Sequence, residues 1–232
     1  MEILRINKLQ KSFGKNRVLK EISFTVNEGE FLTLIGPNGA GKTTLLNCLT
    51  LNLKWDSGDV FYKGENLKKV KEKFKKNINY ISHNLFLYEQ LTPIENLLFF
   101  SQAYNLNKGR DEIDKLLKRV NLLKFKGKKV ATFSRGMKQR LTILRALLNN
   151  PEIIFLDEPF TGLDIKASEI LSSLLFQLKK ENRSVIMITH NITQAKNLSD
   201  RILGLYRGKI SFQLERENFH QLEETFLPRV FK

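Results

Sequence analysis

Residues 31–46, FLTLIGPNGAGKTTLL, constrain this chain more than any other stretch. Residues 31–35 predict a buried strand, a glycine-rich turn follows, and a helix opens near Lys42. Gly36, Gly41, Lys42 and Thr43 fit G-x-x-x-x-G-K-[ST] in its strand-to-helix setting. Glycine lets the backbone wrap close to an anion, and the helix N-terminus aims several N–H groups at it. Gly36, Pro37, Asn38, Gly39, Ala40, Gly41, Lys42, Thr43 and Thr44 are therefore the candidate cradle for a nucleoside triphosphate. Lys42 is expected to reach the β- and γ-phosphates, and the Thr43 hydroxyl to ligate Mg²⁺. A plain Gly-rich turn between core elements is the weaker reading.

The 232 residues suffice for one domain with a sizeable core. No apolar run reaches the ~18–20 residues that cross a bilayer, and no signal peptide opens the chain. Cys48 has no second cysteine to pair with, which suits a cytosolic setting, and reads as a packing residue on the helix after the loop. The net charge of +15 calls for a partner, whether nucleic acid, nucleotide or an anionic membrane face, or for a solubility explanation. Much of it sits in KKVKEKFKK, residues 68–76, which lacks the interleaved aromatics that base stacking uses. A solvated lysine face is the default reading there, a juxtamembrane contact the alternative.

Residues 4–9 and 22–26 alternate apolar and polar and predict an antiparallel β layer leading into the strand at 31–35. Between them, Phe13 before Gly14 reads as a turn-capping core aromatic. Short strands are expected at 59–62 and 78–81. Thr92, Pro93 and Glu95 spell a helix start, with N-cap, proline at the first position and acid at the third. Ile113, Leu116, Leu117 and Val120 have the spacing of a second helix. The middle of the chain, about 85–150, is thus expected to be a helical lobe inserted into an α/β core formed by about 1–84 and 151–232.

Ser134 and Gly136 open a helix expected to run to about Leu148, and a small hydroxyl plus glycine at a helix N-terminus can also take a phosphate. Residues 153–156 predict a buried parallel strand with Asp157 and Glu158 at its C-terminal end, where open α/β sheets place ligands. Asp157 is expected to hold Mg²⁺ and Glu158 to polarise an attacking water. After a helix striped by Ala167, Ile170, Leu171, Leu174, Leu175 and Leu178, residues 185–188 form another buried strand ending in Thr189 and His190. A strand-end histidine in that crevice is placed to sense a γ-phosphate, although such residues are more often structural.

Taken in order, these motifs resemble the nucleotide-binding subunit of an ABC transporter over nearly the whole chain. The phosphate loop, the helix at Ser134, the Asp157–Glu158 pair, the Asp164 loop and His190 occur in that family's sequence. The resemblance implies a RecA-like P-loop NTPase core with an antiparallel β layer and an inserted helical subdomain. It implies ATP with Mg²⁺ as cofactors, and ATP hydrolysis by water activated at Glu158. It also implies a head-to-tail dimer of identical chains sandwiching two ATP molecules, in which Ser134 and Gly136 of one chain meet the γ-phosphate held by Lys42 of the other. A separate membrane permease is the further implied partner, at the cytoplasmic face of the membrane, with no nucleic acid expected. Phe13 matches the position whose ring stacks on adenine, which replaces the core reading, and Asp164 joins the nucleotide-contact set.

Two departures stand out. The family signature LSGGQ is here FSRGM, residues 133–137, so Met137 lacks the terminal amide. His83 stands where the family carries the glutamine of its coupling loop, in contact with the nucleotide site. Within the family, SHN-LFLY-LT-ENL-F, FSRGMKQRL and LDEPFTGLD are most similar to the haem-exporter ATPase of cytochrome c maturation. Exporters of lipids, polysaccharides or drugs share much of the pattern, and a soluble ABC-type ATPase acting on nucleic acid is a third reading. The tail from Glu215, with Phe219, Leu222 and Phe226, has amphipathic spacing suited to lying on a neighbour.

Overall fold

The computed structural model describes residues 1–82, 85–106 and 108–222. In chain order its elements are β1 (Glu2–Phe13), β2 (Asn16–Asn27), β3 (Phe31–Ile35), α1 (Lys42–Leu49), β4 (Ser57–Tyr62), β5 (Glu65–Asn66), α2 (Lys71–Lys76) and β6 (Ile78–Ile81). Next come α3 (Pro93–Ala103), α4 (Arg110–Arg119), α5 (Arg135–Leu147), β7 (Ile153–Asp157), α6 (Ile165–Lys180), β8 (Ser184–Ile188), α7 (Ile192–Leu198), β9 (Arg201–Tyr206) and β10 (Lys209–Glu215).

Two sheets form. The smaller runs β2-β1-β4-β5 with antiparallel pairing throughout. The larger runs β10-β9-β3-β8-β7-β6, parallel except where β10 returns against β9. The β1–β2 hairpin is longer than its alternating segments predict, extending until Phe13 faces Asn16 across Gly14.

Strands β3, β7 and β8 are buried at every position. A parallel strand covered on both faces needs apolar side chains on both, so these read as continuous runs rather than alternations. Phe155, Ile186 and Ile188 face the core shared with the antiparallel sheet and α1. Ile154, Leu156, Val185 and Met187 face the opposite core, which they share with Leu97, Ile113, Leu117 and Leu144 from the helices between β6 and β7. Those helices start as the sequence predicts. Thr92 and Glu95 close a reciprocal capping box with Pro93 at the first position.

The tail departs from expectation. Phe219 and Leu222 are buried in a third cluster with Ile35, Ile202, Phe212 and Leu214 of this same chain. Phe219 and Leu222 cover the apolar face that the last hairpin shares with Ala195 of α7. Phe226 lies outside the described residues.

Candidate functional site

Strand order brings the chemistry together. β8 lies between β3 and β7, so the loop after β3, the acids ending β7 and the histidine after β8 meet at one edge of the sheet. A cavity of about 380 Å³ opens there, lined by Val18, Asn38, Gly39, Gly41, Lys42, Thr43, Thr44, Asp157, Glu158 and Ile188.

Glycine is needed at two points of the loop. Gly41 sits at φ +104 as the cap of α1, in a backbone region that side-chain-bearing residues avoid. At Gly36 a Cβ would lie 2.1 Å from the carbonyl oxygen of Leu205 on β9. Lys42 Nζ donates to the carbonyls of Gly36 at 2.8 Å and Pro37 at 3.0 Å, closing the loop on itself. Ala40 is buried, with its N–H on the Pro37 carbonyl at 3.2 Å. Gly36, Pro37 and Ala40 thus shape the cradle without lining it. Burial lowers the Lys42 ammonium from its ordinary range, opposed by the charges of Glu158 and Asp157. A lysine that is nearly buried, held only by carbonyls and facing two carboxylates is a cation poised for a multiply charged anion.

Asp157 is buried, and burial pushes its carboxyl above the ordinary range. Hydrogen bonds from Tyr80 and Thr43 act in the opposite direction, while Glu158 adds to the rise. Tyr80 Oη donates to Asp157 Oδ2 at 3.2 Å from the adjacent strand β6. One desolvated carboxylate beside a threonine hydroxyl is a hard-oxygen donor set, and it fits Mg²⁺, which takes few protein ligands and fills its shell with water and phosphate oxygens. Among the described residues no group of three or more His, Cys, Asp and Glu gathers as a metal cage.

Glu158 occupies left-handed backbone at φ +50, with its N–H on the Ile188 carbonyl at 2.9 Å. His190 Nδ1 lies 2.9 Å from Glu158 Oε2, and the His190 N–H donates to the same oxygen at 3.3 Å. The histidine ring is mostly exposed and touches Glu158 without itself lining the cavity.

Four candidates lie elsewhere. Phe13 is exposed at the end of β1, 51% accessible, with the Lys11 ammonium 5.3 Å from its ring centroid; it is not the core aromatic its turn suggested. Ser134 is the exposed N-cap of α5, its hydroxyl accepting from the Met137 N–H at 3.3 Å. Gly136 is where α5 and α6 touch: a Cβ there would lie 2.5 Å from Ala167 Cβ. Asp164 caps α6, accepting from the Ala167 N–H at 2.7 Å. None of the four lines the cavity. His83 lies outside the described residues. Tyr80, Val18 and Ile188 are the site residues the motifs missed; an aromatic in a short strand carries no local sign that the next strand over ends in an acid.

The family model for the ABC transporter matches residues 19–161. The chain is 34% identical over 228 residues to a phosphonates import ATP-binding protein of Oceanobacillus iheyensis, covering 91% of this chain and 90% of that protein. It is 33% identical over 216 residues to the arginine transport ATP-binding protein ArtM of Bacillus subtilis, covering 90% of this chain and 89% of that one. Among solved structures, a dimeric ATP-binding cassette in a post-hydrolysis state bound to ADP and Pi superposes with a TM-score of 0.80 at 28% identity, over 92% of this chain and 99% of that one. With the phosphate loop, the paired acids and the strand order of the larger sheet, these likenesses decide the matter: the chain belongs to the ABC transporter family, as an ATP-binding, ATP-hydrolysing subunit.

Proposed function

We propose that the chain works as a head-to-tail pair of identical copies closing over two ATP molecules with Mg²⁺, and that the pair drives a separate membrane permease exporting haem for cytochrome c maturation. The observation that carries the paired site is the position of Ser134. Its helix start is exposed, yet it is absent from the cavity holding Lys42, Asp157 and Glu158. A helix N-terminus that can take a phosphate but lies outside its own chain's cavity fits one that completes the site of a second copy.

In this reading the N–H groups of 38–44 and the Lys42 ammonium bind the phosphates, and Thr43 with Asp157 would hold Mg²⁺, which would supply positive charge against the phosphates. Tyr80 keeps the Asp157 carboxylate in one orientation. Glu158 polarises the attacking water, and His190, hydrogen-bonded to Glu158, faces the γ-phosphate. Phe13 offers its exposed ring to the adenine. The lobe of about 85–150 presents Ser134 and Gly136 of one copy to the phosphate of the other, with Asp164 behind them at the start of α6. The permease sits in the membrane and the chain at its cytoplasmic face.

The cargo assignment rests on the phrases FSRGMKQRL and LDEPFTGLD. Relatives named for phosphonates and arginine show how widely cargo varies on this scaffold. The test is covalent-haem staining of c-type cytochromes in a source strain carrying Lys42→Ala. Loss of staining with intact apocytochrome is the expected result; unchanged staining removes haem as cargo and leaves the ATPase reading untouched.

A further inference from the structure

The lysine run at 68–76 has no part in the nucleotide site, yet it lines a second cavity of about 380 Å³. Its floor is apolar. After α1 the chain turns through Leu51 at φ +62, and Leu53 N–H returns to the Asn47 carbonyl at 2.9 Å. That turn presents Leu51, Leu53 and Trp55, every second residue, to the cavity. The indole N–H of Trp55 is satisfied by the Gly58 carbonyl at 3.0 Å, leaving the ring as a half-buried apolar wall. The rim is basic. Lys54, Lys68, Lys71 and Lys75 complete the lining, and no carboxylate contributes to it. Phe74 pins α2 into the core edge-on to Tyr62, at 5.1 Å between centroids, which leaves its lysines outside.

Two nearby acids are engaged elsewhere. Asp56 pairs with Lys11 at 3.0 Å and Glu65 with Lys73 at 2.7 Å. Lys68 is 3.6 Å from Asp59, and its ammonium lies 5.8 Å from the Trp55 ring centroid. Glu72 is exposed on α2 but does not line the cavity. The side chains of Lys54, Lys71 and Lys75 make no hydrogen bond or ion pair among the described residues. Several like charges around an apolar floor repel one another until an anion joins them.

We propose that this cavity binds the phosphate headgroup of an anionic phospholipid, the lysines taking the phosphate and Leu51, Leu53 and Trp55 taking the glycerol and first methylenes. A tryptophan beside long lysine stems is the combination that settles at a membrane interface. The volume suits a small amphiphile and is short of the ~10 Å cylinder that two turns of a docking helix would need. The site lets the ATPase touch the bilayer directly, alongside any protein partner.

Trp55 is the only tryptophan in the sequence, so its fluorescence reports this cavity alone. The full chain is titrated with vesicles of phosphatidylcholine alone, then of phosphatidylcholine with phosphatidylglycerol, with brominated acyl chains in a parallel series. Anionic vesicles should bind, shift Trp55 emission to the blue and quench it when brominated. The triple variant Lys68→Gln, Lys71→Gln, Lys75→Gln should weaken binding about a hundred-fold, from roughly 0.7 of a decade per surface lysine. A control triple on α4 and the turn just after it, Lys115→Gln, Lys118→Gln, Lys124→Gln, removes equal charge and should change little. Equal loss in both triples would show diffuse charge attraction and overturn the site. A shift reproduced by inorganic phosphate, or by an acidic amphipathic peptide while vesicles give none, would overturn the lipid as its occupant.

Discussion

Glu158 combines left-handed backbone, at φ +50, with a hydrogen-bonded histidine. A residue with a Cβ pays about 1–2 kcal/mol to stay in that region, and the N–H bond to Ile188 at 2.9 Å helps to hold it there. Glutamine has the same shape without the basic carboxylate. Glu158→Gln is therefore expected to abolish ATP turnover while keeping ATP bound and the two copies closed. Gel filtration in ATP and Mg²⁺ reads this directly, and monomeric elution of the variant would count against Glu158 as the base. Cys48 behaves oppositely, as an inert residue. Burial pushes its thiol up to about 11 from 9.0, so the fold retains a proton that the unfolded chain releases. Its contribution to stability is full below about 9 and is lost as pH rises toward 11. At pH 8 only about one thiol in a thousand is ionised, so labelling by a disulfide reagent should be slow in the native chain and complete in guanidinium. Rapid native labelling would mean that α1 opens readily.

Between elements, one buried ion pair joins the two sheets. Arg201 at the start of β9 donates from Nε to Glu30 Oε1 at 2.7 Å and also bonds the Thr25 carbonyl on β2. Both charged side chains are 8% exposed. Glu30 Oε2 accepts from the Asn27 N–H at 2.7 Å, so the same carboxylate closes the turn into β3. Removing one partner leaves the other charge buried and unpaired, which typically costs 3–5 kcal/mol. Glu30→Ala should lower stability by about that amount in urea unfolding; a loss under about 1 kcal/mol would mean that water reaches Arg201 freely. α3 relies on a local device instead. Thr92 and Glu95 satisfy each other's backbone groups within one turn, which is why its start can be read from four letters.

For the whole molecule, the decisive feature is that α5 begins at Ser134, outside the cavity that β3, β7 and β8 build. If two copies complete each other's sites, bulk at that helix start blocks closure without touching nucleotide binding in one chain. Ser134→Arg should bind ATP with unchanged affinity in calorimetry yet fail to form the ATP-dependent dimer in gel filtration. A dimer of wild-type proportion would refute the trans arrangement.

Local patterns carried much of this protein. The phosphate loop, the Thr92 cap, the Ser134 cap and the acids ending a buried run were legible because each is decided by residues within one turn or one strand of itself. The meeting of distant residues was anticipated only from the rule that open sheets gather ligands at strand ends and from the family resemblance, not from any local pattern. Lys42 and Asp157 meet because β8 inserts between β3 and β7, and Tyr80 reaches Asp157 because β6 lies beside β7. Strand order follows from how helices and loops cover both faces of the sheet, which no single segment encodes. The exposure of Phe13 and the burial of Phe219 and Leu222 were decided in the same way, by where the finished core left apolar surface bare. By itself the sequence determined which groups could bind a phosphate, while the tertiary structure decided which of them share one cavity, because proximity across strands is a property of packing and not of spacing.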